Sequence, residues 1–130
     1  QQLERLDAIL IERDALAVGY FERLLPIAAL TPIRSPGWAR NNWQSYFVWL
    51  DATFDRDALM RAMAERGVAT RAGIMCAHRE SPYIPAGCRH SLAHSEAAQD
   101  HGLLLPFFNG MSPAEQDYVV AALEDALAAA

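Results

Sequence analysis

Residues 43–67, WQSYFVWLDATFDRDALMRAMAERG, place a strand directly before a helix. The opening residues are mostly aromatic and β-branched types, which favour strands, so we expect a strand over 43–50. Asp55 can cap a helix over 56–66, and Gly67 suits its end. The stretch therefore predicts a helix that packs on a sheet.

The chain before this stretch predicts a long helix and then a loop. Apolar side chains recur at helical spacings over residues 1–25, and Pro26 ends the pattern. Further prolines, a glycine and the pair Asn41-Asn42 favour a loop over 26–42.

The chain after this stretch alternates short strands with two more helices. We expect strands over 68–71, 73–76 and 103–105, and helices over 91–101 and from Ser112 onwards. The last helix has the clearest start, because its serine cap is followed by proline and then by glutamate three residues after the cap.

The order α, β, α, β, β, α, β, α predicts an α+β fold, with a small antiparallel or mixed sheet packed against helices. A length of 130 residues suits one domain. We expect a single small domain over 1–130 with its α+β core over 43–130.

Composition excludes several classes of protein. Hydrophobic residues make up 52% and charged residues 21%, which is typical of globular chains. A net charge of -5 speaks against nucleic-acid or membrane partners, because phosphate groups need a clustered positive face. No apolar run approaches the roughly 20 residues of a membrane helix. We expect a soluble, cytoplasmic protein.

The first residue and the basic residues suggest a piece of a longer protein. The chain starts at Gln1 rather than Met, and all of its basic residues other than histidine are arginine. A mechanism that needs a lysine amine is therefore closed to this chain by itself.

Two cysteine–histidine pairs raise the question of metal or thiol chemistry. Cys76 with His78 and Cys88 with His90 could supply four zinc ligands. Their spacing does not match structural zinc sites, and nothing in the local sequence marks an activated thiol. We expect no metal and reduced cysteines.

Residues 70–83, TRAGIMCAHRESPY, gather two arginines, a histidine and a tyrosine around a short apolar run. Such a segment can present hydrogen-bond donors and an aromatic face to an anionic or sugar-like ligand. Alternatively, Arg71 and Arg79 pair with surface carboxylates and Tyr83 packs in the core. The residues alone leave both interpretations open.

Eight segments, in order, resemble the DegT–DnrJ type nucleotide-sugar and aminocyclitol aminotransferases. They are 3–7 (LERLD), 45–48 (SYFV), 56–59 (RDAL), 65–71 (ERGVATR), 78–83 (HRESPY), 95–96 (SE), 103–106 (LLLP) and 111–116 (MSPAEQ). The resemblance lies in the ordered set, which extends over nearly the whole chain.

This resemblance implies the C-terminal small domain of a homodimeric, pyridoxal-phosphate-dependent sugar aminotransferase. The helix over 1–25 would leave a large domain whose lysine holds the cofactor. Glutamate or glutamine would give its amine to the cofactor, and a keto-sugar, often nucleotide-linked, would receive it. The chain by itself would be inactive and would carry no catalytic residue.

The same resemblance implies that Arg71, His78, Arg79, Tyr83 and Trp43 bind substrate. Arg71 comes first, because a guanidinium matches a carboxylate or phosphate with two parallel hydrogen bonds. The alternative is a stand-alone, non-catalytic module of the same fold that binds a ligand or dimerises. In an isolated domain we expect an exposed apolar face along the first helix.

Overall fold

The structure is a computed structural model that describes residues 3–84 and 91–129. Its elements are a 3-10 turn (Leu3–Arg5), α1 (Leu6–Leu24), β1 (Leu30–Pro32), β2 (Tyr46–Leu50), α2 (Arg56–Glu65), β3 (Arg71–Ala72), a second 3-10 turn (Ala77–Arg79), α3 (Ala93–His101), β4 (Gly102–Leu105) and α4 (Pro113–Ala128).

The strands form one antiparallel sheet in the order β1-β2-β4-β3. Tyr46 lies opposite Leu105, and Arg71 lies opposite Leu104. This register brings the start of β2, the end of β4 and the start of β3 to the same end of the sheet. The predicted α+β class, with helices against a small antiparallel sheet, is confirmed.

Both predicted helix caps are confirmed. The Asp55 carboxylate accepts hydrogen bonds from the backbone N–H groups of Asp57 and Ala58 at the start of α2. At the start of α4, Ser112 and Glu115 form a reciprocal capping box. Each cap stabilises its helix by about 1 kcal/mol.

The hydrophobic core joins the sheet to α1, α2 and α4. The Tyr20 and Tyr46 rings stack at its centre with centroids 5.0 Å apart. The Tyr20 hydroxyl donates to the Pro106 carbonyl at 2.8 Å. Burial raises the pKa of both phenols, so both stay neutral. These contacts tie α1 to the segment that follows β4.

The prediction of a loop over 26–42 is wrong in part, because β1 lies within it. β1 forms one edge of the sheet and pairs with β2. An edge strand tolerates proline, since its outer side needs no backbone donor, so Pro32 does not prevent the pairing.

The prediction of two strands over 68–71 and 73–76 is also wrong. In this stretch only Arg71–Ala72 pairs, as β3. At Gly73 the backbone N–H still donates to the Gly102 carbonyl at 3.0 Å. A Cβ added to Gly73 would collide with the ring of Phe47, so only glycine fits this close approach.

The predicted strand over 43–50 begins later than expected, at Tyr46. Trp43 has a φ of 48°, a left-handed conformation that is incompatible with a strand. The residues between them turn the chain into the sheet.

The apolar face predicted along the first helix is only partly buried. Leu3 and Leu6 are 85% and 45% exposed. Ile11 and Val18 are exposed as well. The apolar exposure expected along the first helix is therefore present.

Candidate ligand-binding site

Arg71 lies at the end of the sheet where three strand termini meet. It is exposed, is the first residue of β3 and lines a pocket of about 240 Å³. Gln44 and Ser45, just before β2, and Pro106, just after β4, form other parts of the wall. Three separate segments of the chain therefore assemble this pocket.

The Arg71 guanidinium makes no hydrogen bond or ion pair with another described residue. Among the described residues, no aspartate or glutamate lines its pocket. Five other arginines are hydrogen-bonded within the chain: Arg13, Arg23, Arg56, Arg66 and Arg79. The interpretation that Arg71 pairs with a surface carboxylate therefore finds no support in the described part of the chain.

His78 and Arg79 occupy the second 3-10 turn and contact α3. His78 Nε2 lies 2.8 Å from Glu96 Oε1. Arg79 Nη1 donates to Asp100 Oδ1 at 2.6 Å, and Arg79 Nη2 lies 3.4 Å from Glu96 Oε2. Arg79 thus does pair with surface carboxylates, as the second interpretation of its segment expects.

This ion pair shifts the titration of both partners. The hydrogen bond from Arg79 holds the pKa of Asp100 below its ordinary value, and the bond to Asp100 raises the pKa of Arg79. Both side chains are partly exposed, so solvent screens the interaction. Its main effect is to fix the direction of the guanidinium.

Cys76 anchors the start of the same turn. Its backbone N–H donates to Gln99 Oε1 at 2.9 Å, and its thiol donates to the Ser95 carbonyl at 3.2 Å. Cys76 is buried, and the thiol is not part of a disulfide. Four side chains from residues 76–99 thus tie the turn to α3: Cys76, His78, Arg79 and Gln99.

Tyr83 lies on the surface just after this turn. Its side chain is 59% exposed, so the interpretation that it packs in the core is wrong. Its backbone N–H donates to the Glu80 carbonyl at 2.8 Å.

Trp43 is buried beside the middle of α1. Its indole N–H donates to Asp14 Oδ1 at 2.7 Å, and its carbonyl accepts from Arg13. Its ring stacks on Tyr46 with centroids 5.7 Å apart and lines a groove of about 390 Å³ beside Val18. This position makes Trp43 a link between α1 and β2 as well as a groove wall.

The five predicted residues therefore lie in three places. His78 and Arg79 lie in the same turn and bond to α3, and Tyr83 follows them in the chain. Arg71 lines one cavity, and Trp43 lines another. The sequence interpretation missed the Arg71 pocket's other polar residues, Gln44 and Ser45. Only the antiparallel register of β2, β4 and β3 brings them together, and sequence spacing carries no such signal.

The chain has no lysine, so none of its side chains can attach an aldehyde cofactor as an imine. Within residues 3–84 and 91–129, no group of three or more His, Cys, Asp and Glu side chains could hold a metal ion. Cys88 and His90 of the considered zinc set lie outside the described residues.

None of the helices within the described residues combines the length and the apolar character needed to cross a bilayer.

Comparison with protein families gives a match over almost the whole chain. The model of the DegT/DnrJ/EryC1/StrS aminotransferase family matches residues 1–124.

Comparison with solved structures agrees. TlmJ, an aminotransferase from Streptoalloteichus hindustanus, superposes with a TM-score of 0.86 at 29% identity, covering 98% of this chain and 34% of TlmJ. Helicobacter pylori PseC, an aminotransferase involved in the biosynthesis of pseudoaminic acid, superposes at 0.89 and 12% identity, covering 99% and 35%. A Streptococcus pneumoniae protein described as a sugar aminotransferase, in its PLP-form, gives 0.82 and 16%, covering 96% and 33%. The chain spans about a third of their length.

Proposed function

Because the chain belongs to the DegT/DnrJ/EryC1/StrS aminotransferase family, we propose that it forms the C-terminal small domain of a pyridoxal-phosphate-dependent sugar aminotransferase. The complete protein moves an amino group from glutamate or glutamine to a keto-sugar, which is often nucleotide-linked. The chain by itself does not perform this reaction.

One observation carries the proposal. The fold matches TlmJ over 98% of this chain but over only 34% of TlmJ. Because the whole fold of this chain corresponds to one part of an aminotransferase, we assign the chain the role of that part. The family match over 1–124 supports the same assignment.

The cofactor belongs elsewhere in the complete protein. Pyridoxal phosphate supplies an electron sink when it is bound, and its covalent attachment needs a lysine. This chain has none, so we place the attachment in a large domain that precedes Gln1. The role that we assign to the residues of this chain is to bind and orient the substrate.

Among those residues, Arg71 makes the direct contact with the substrate. Its guanidinium is exposed and unpaired within the described residues, and it stands in a pocket with room for an anionic group. His78 and Arg79 hold their turn against α3 through their bonds to Glu96 and Asp100. Tyr83 offers an exposed ring, and Trp43 lines the groove beside α1.

The partners follow from the same assignment. The complete protein works as a cytoplasmic homodimer on a small sugar substrate and an amino-acid donor, without nucleic acid or membrane. The apolar side chains exposed along α1, such as Ile11 and Val18, support a covering surface in the assembled protein.

The test uses the complete product of the gene that contains this sequence. We expect it to bind pyridoxal phosphate with a new absorbance band and to form an amino-sugar from a nucleotide-linked keto-sugar and glutamate. The 130-residue chain, assayed in parallel, serves as the inactive control. A complete product that binds no pyridoxal phosphate and transfers no amine would refute the proposal.

A further inference from the structure

The two ring nitrogens of His78 have different surroundings. Nε2 lies 2.8 Å from Glu96 Oε1, whereas Nδ1 has no hydrogen-bond partner among the described residues. Within that part of the chain, the only buried side-chain nitrogen or oxygen atom without a partner belongs to Thr70, so Nδ1 is accessible to solvent. His78 can therefore bind a ligand through Nδ1 while Glu96 holds the other nitrogen.

The chemistry of this pair decides where the ring proton lies. An ionised carboxylate accepts hydrogen bonds and donates none. Nε2 therefore carries the hydrogen that bonds to Glu96, and in the neutral imidazole Nδ1 is left as an acceptor. The ring thus offers a ligand an acceptor and not a donor.

Glu96 is itself held in place by a chain of ion pairs. Its Oε2 lies 3.4 Å from Arg79 Nη2, and Arg79 Nη1 donates to Asp100 Oδ1 at 2.6 Å. Glu96 and Asp100 lie one turn apart on α3. The His78 side chain is only 19% exposed, so most of the ring is enclosed. Together these contacts fix the orientation of the imidazole relative to α3.

The cavity that His78 lines suits an uncharged group. Its volume is about 360 Å³, which is within the size range of small-molecule sites. Its other described walls are mostly apolar, among them Ile74, Met75 and Leu92. No arginine, aspartate or glutamate of the described residues lines it. A group with C–H faces and hydroxyl hydrogens therefore fits this cavity better than an anion does, because a buried charge needs a partner.

We propose that Glu96 is a positioning residue that keeps the ring proton of His78 on Nε2, so that Nδ1 accepts a hydrogen bond from a hydroxyl group of the sugar substrate. The identification of the ligand as a sugar rests on the proposed function. Glu96 acts through His78 and does not touch the substrate. His78 and Arg71 then recognise different groups, since Arg71 supplies donors to an anionic group and His78 supplies an acceptor to a neutral one.

Nitrogen NMR of the ¹⁵N-labelled 130-residue chain tests the tautomer without any substrate. Long-range ¹H–¹⁵N spectra, recorded above the pH at which the ring titrates, report the proton population on each ring nitrogen. We expect His78 to show one tautomer, with the proton on Nε2, and Glu96→Ala to convert it to a mixture. His94 is the internal control, because it is exposed and its ring makes no hydrogen bond to another described residue.

Two results of this NMR experiment would overturn the proposal. One is a mixture of tautomers at His78 in the parent chain. The other is an unchanged tautomer ratio at His78 in Glu96→Ala. Circular dichroism checks that the variant folds, and the spectrum of the parent chain decides the matter if it does not.

Kinetics of the complete protein test the effect on the substrate. Glu96→Ala should raise the KM for the nucleotide-linked keto-sugar about threefold to tenfold, because one oriented hydrogen bond is lost. The rate at which glutamate converts bound pyridoxal phosphate, followed by cofactor absorbance, should stay unchanged. An unchanged KM for the keto-sugar, or equal losses in both measurements, would contradict the proposal.

A double variant tests whether Glu96 acts through His78. His78→Ala combined with Glu96→Ala should have the same KM for the keto-sugar as His78→Ala alone, because Glu96 then has no ring to orient. Glu124→Ala on α4 is the matched control, since Glu124 is exposed and makes no ion pair with another described residue. Additive increases of KM in the double variant, or an equal increase in Glu124→Ala, would contradict the assignment.

The outcome is separable from that of the proposed function. A complete protein that transfers no amine would refute the proposed function, whereas the tautomer of His78 in this chain would still decide the role of Glu96. A mixture of tautomers at His78 in a protein that does transfer amine would refute the role of Glu96 alone.

Discussion

The two arginines of residues 70–83 have opposite surroundings in the folded chain. Arg79 is held by Asp100 and Glu96 on α3, while Arg71 is exposed at the sheet end and meets no described carboxylate. Both come from one short segment and look alike in the sequence. Elements distant in the sequence, α3 for Arg79 and the start of β2 for Arg71, therefore decide which arginine is free to bind a ligand.

The largest expected effect comes from removing the unpaired arginine. In the complete protein, Arg71→Ala should raise the KM for the amino donor or the sugar about tenfold or more, because a charge-assisted bidentate contact is lost. Pyridoxal phosphate binding should stay intact. Steady-state kinetics and cofactor absorbance measure the two effects.

Arg79→Ala is the matched variant for this comparison. Its guanidinium is already bonded to Asp100 and Glu96, so we expect a smaller change of KM than for Arg71→Ala. Equal changes of KM in both variants would contradict the distinction between Arg71 and Arg79. An unchanged KM in Arg71→Ala would contradict the assignment of Arg71 as a substrate contact.

The next effect concerns the anchor of the turn. Gln99→Ala should lower the free energy of unfolding by about 1 kcal/mol, because the Cys76 N–H loses its acceptor in a partly buried position. Chemical denaturation of the chain measures this. Gln44→Ala, at an exposed position, should stay within about 0.5 kcal/mol. If Gln44→Ala lowered the free energy of unfolding as much as Gln99→Ala, the turn would not be better anchored than the segment before β2.

A pH titration sharpens the same comparison. The hydrogen bond from Arg79 lowers the pKa of Asp100 from 3.8. A carboxyl whose pKa is lower in the folded chain stabilises it above the unfolded pKa, and this contribution is lost as the pH falls through the folded value. Asp100→Asn should therefore be less stable than the parent at neutral pH, by a small amount that fades in acid.

Denaturation of both proteins from pH 7 down to pH 2 measures that difference. Asp125→Asn on α4 is a suitable control, since Asp125 is exposed and makes no ion pair with another described residue. A stability difference between Asp100→Asn and the parent that grows towards acid would contradict the role of Arg79.

The smallest effect belongs to Thr70, next to the unpaired arginine. Its hydroxyl oxygen is buried and has no hydrogen-bond partner among the described residues. Thr70→Val removes an unsatisfied polar atom at nearly constant volume, so stability should stay equal or rise by up to about 1 kcal/mol. A clear loss of stability in thermal unfolding would show that the hydroxyl has a partner after all.

Local signals in the sequence predicted the elements that depend on neighbours along the chain. The caps at Asp55 and Ser112 are confirmed because a side chain bonds its own helix within three residues. The strand β1 was missed because its pairing with β2 across residues 30–50 outweighs the local proline signal. The residues near β1 in the sequence do not indicate that β2 is its pairing partner.

The candidate site was predictable only in part for the same reason. The residue types of 70–83 indicated anion and sugar binding, and Arg71 does stand in a pocket. Gln44 and Ser45 were missed because their position beside Arg71 depends on the register of the sheet. The residues alone also left open whether Arg79 pairs with a carboxylate, because that pairing depends on the docking of α3.

The central claim is that this chain is one domain of an aminotransferase, and the coding DNA immediately upstream of Gln1 tests it most directly. We expect an in-frame extension of roughly twice this chain's length, since the chain covers 34% of TlmJ, and we expect that extension to contain a lysine-bearing cofactor domain. A start codon at or just before Gln1 would contradict the account and favour a stand-alone binding module.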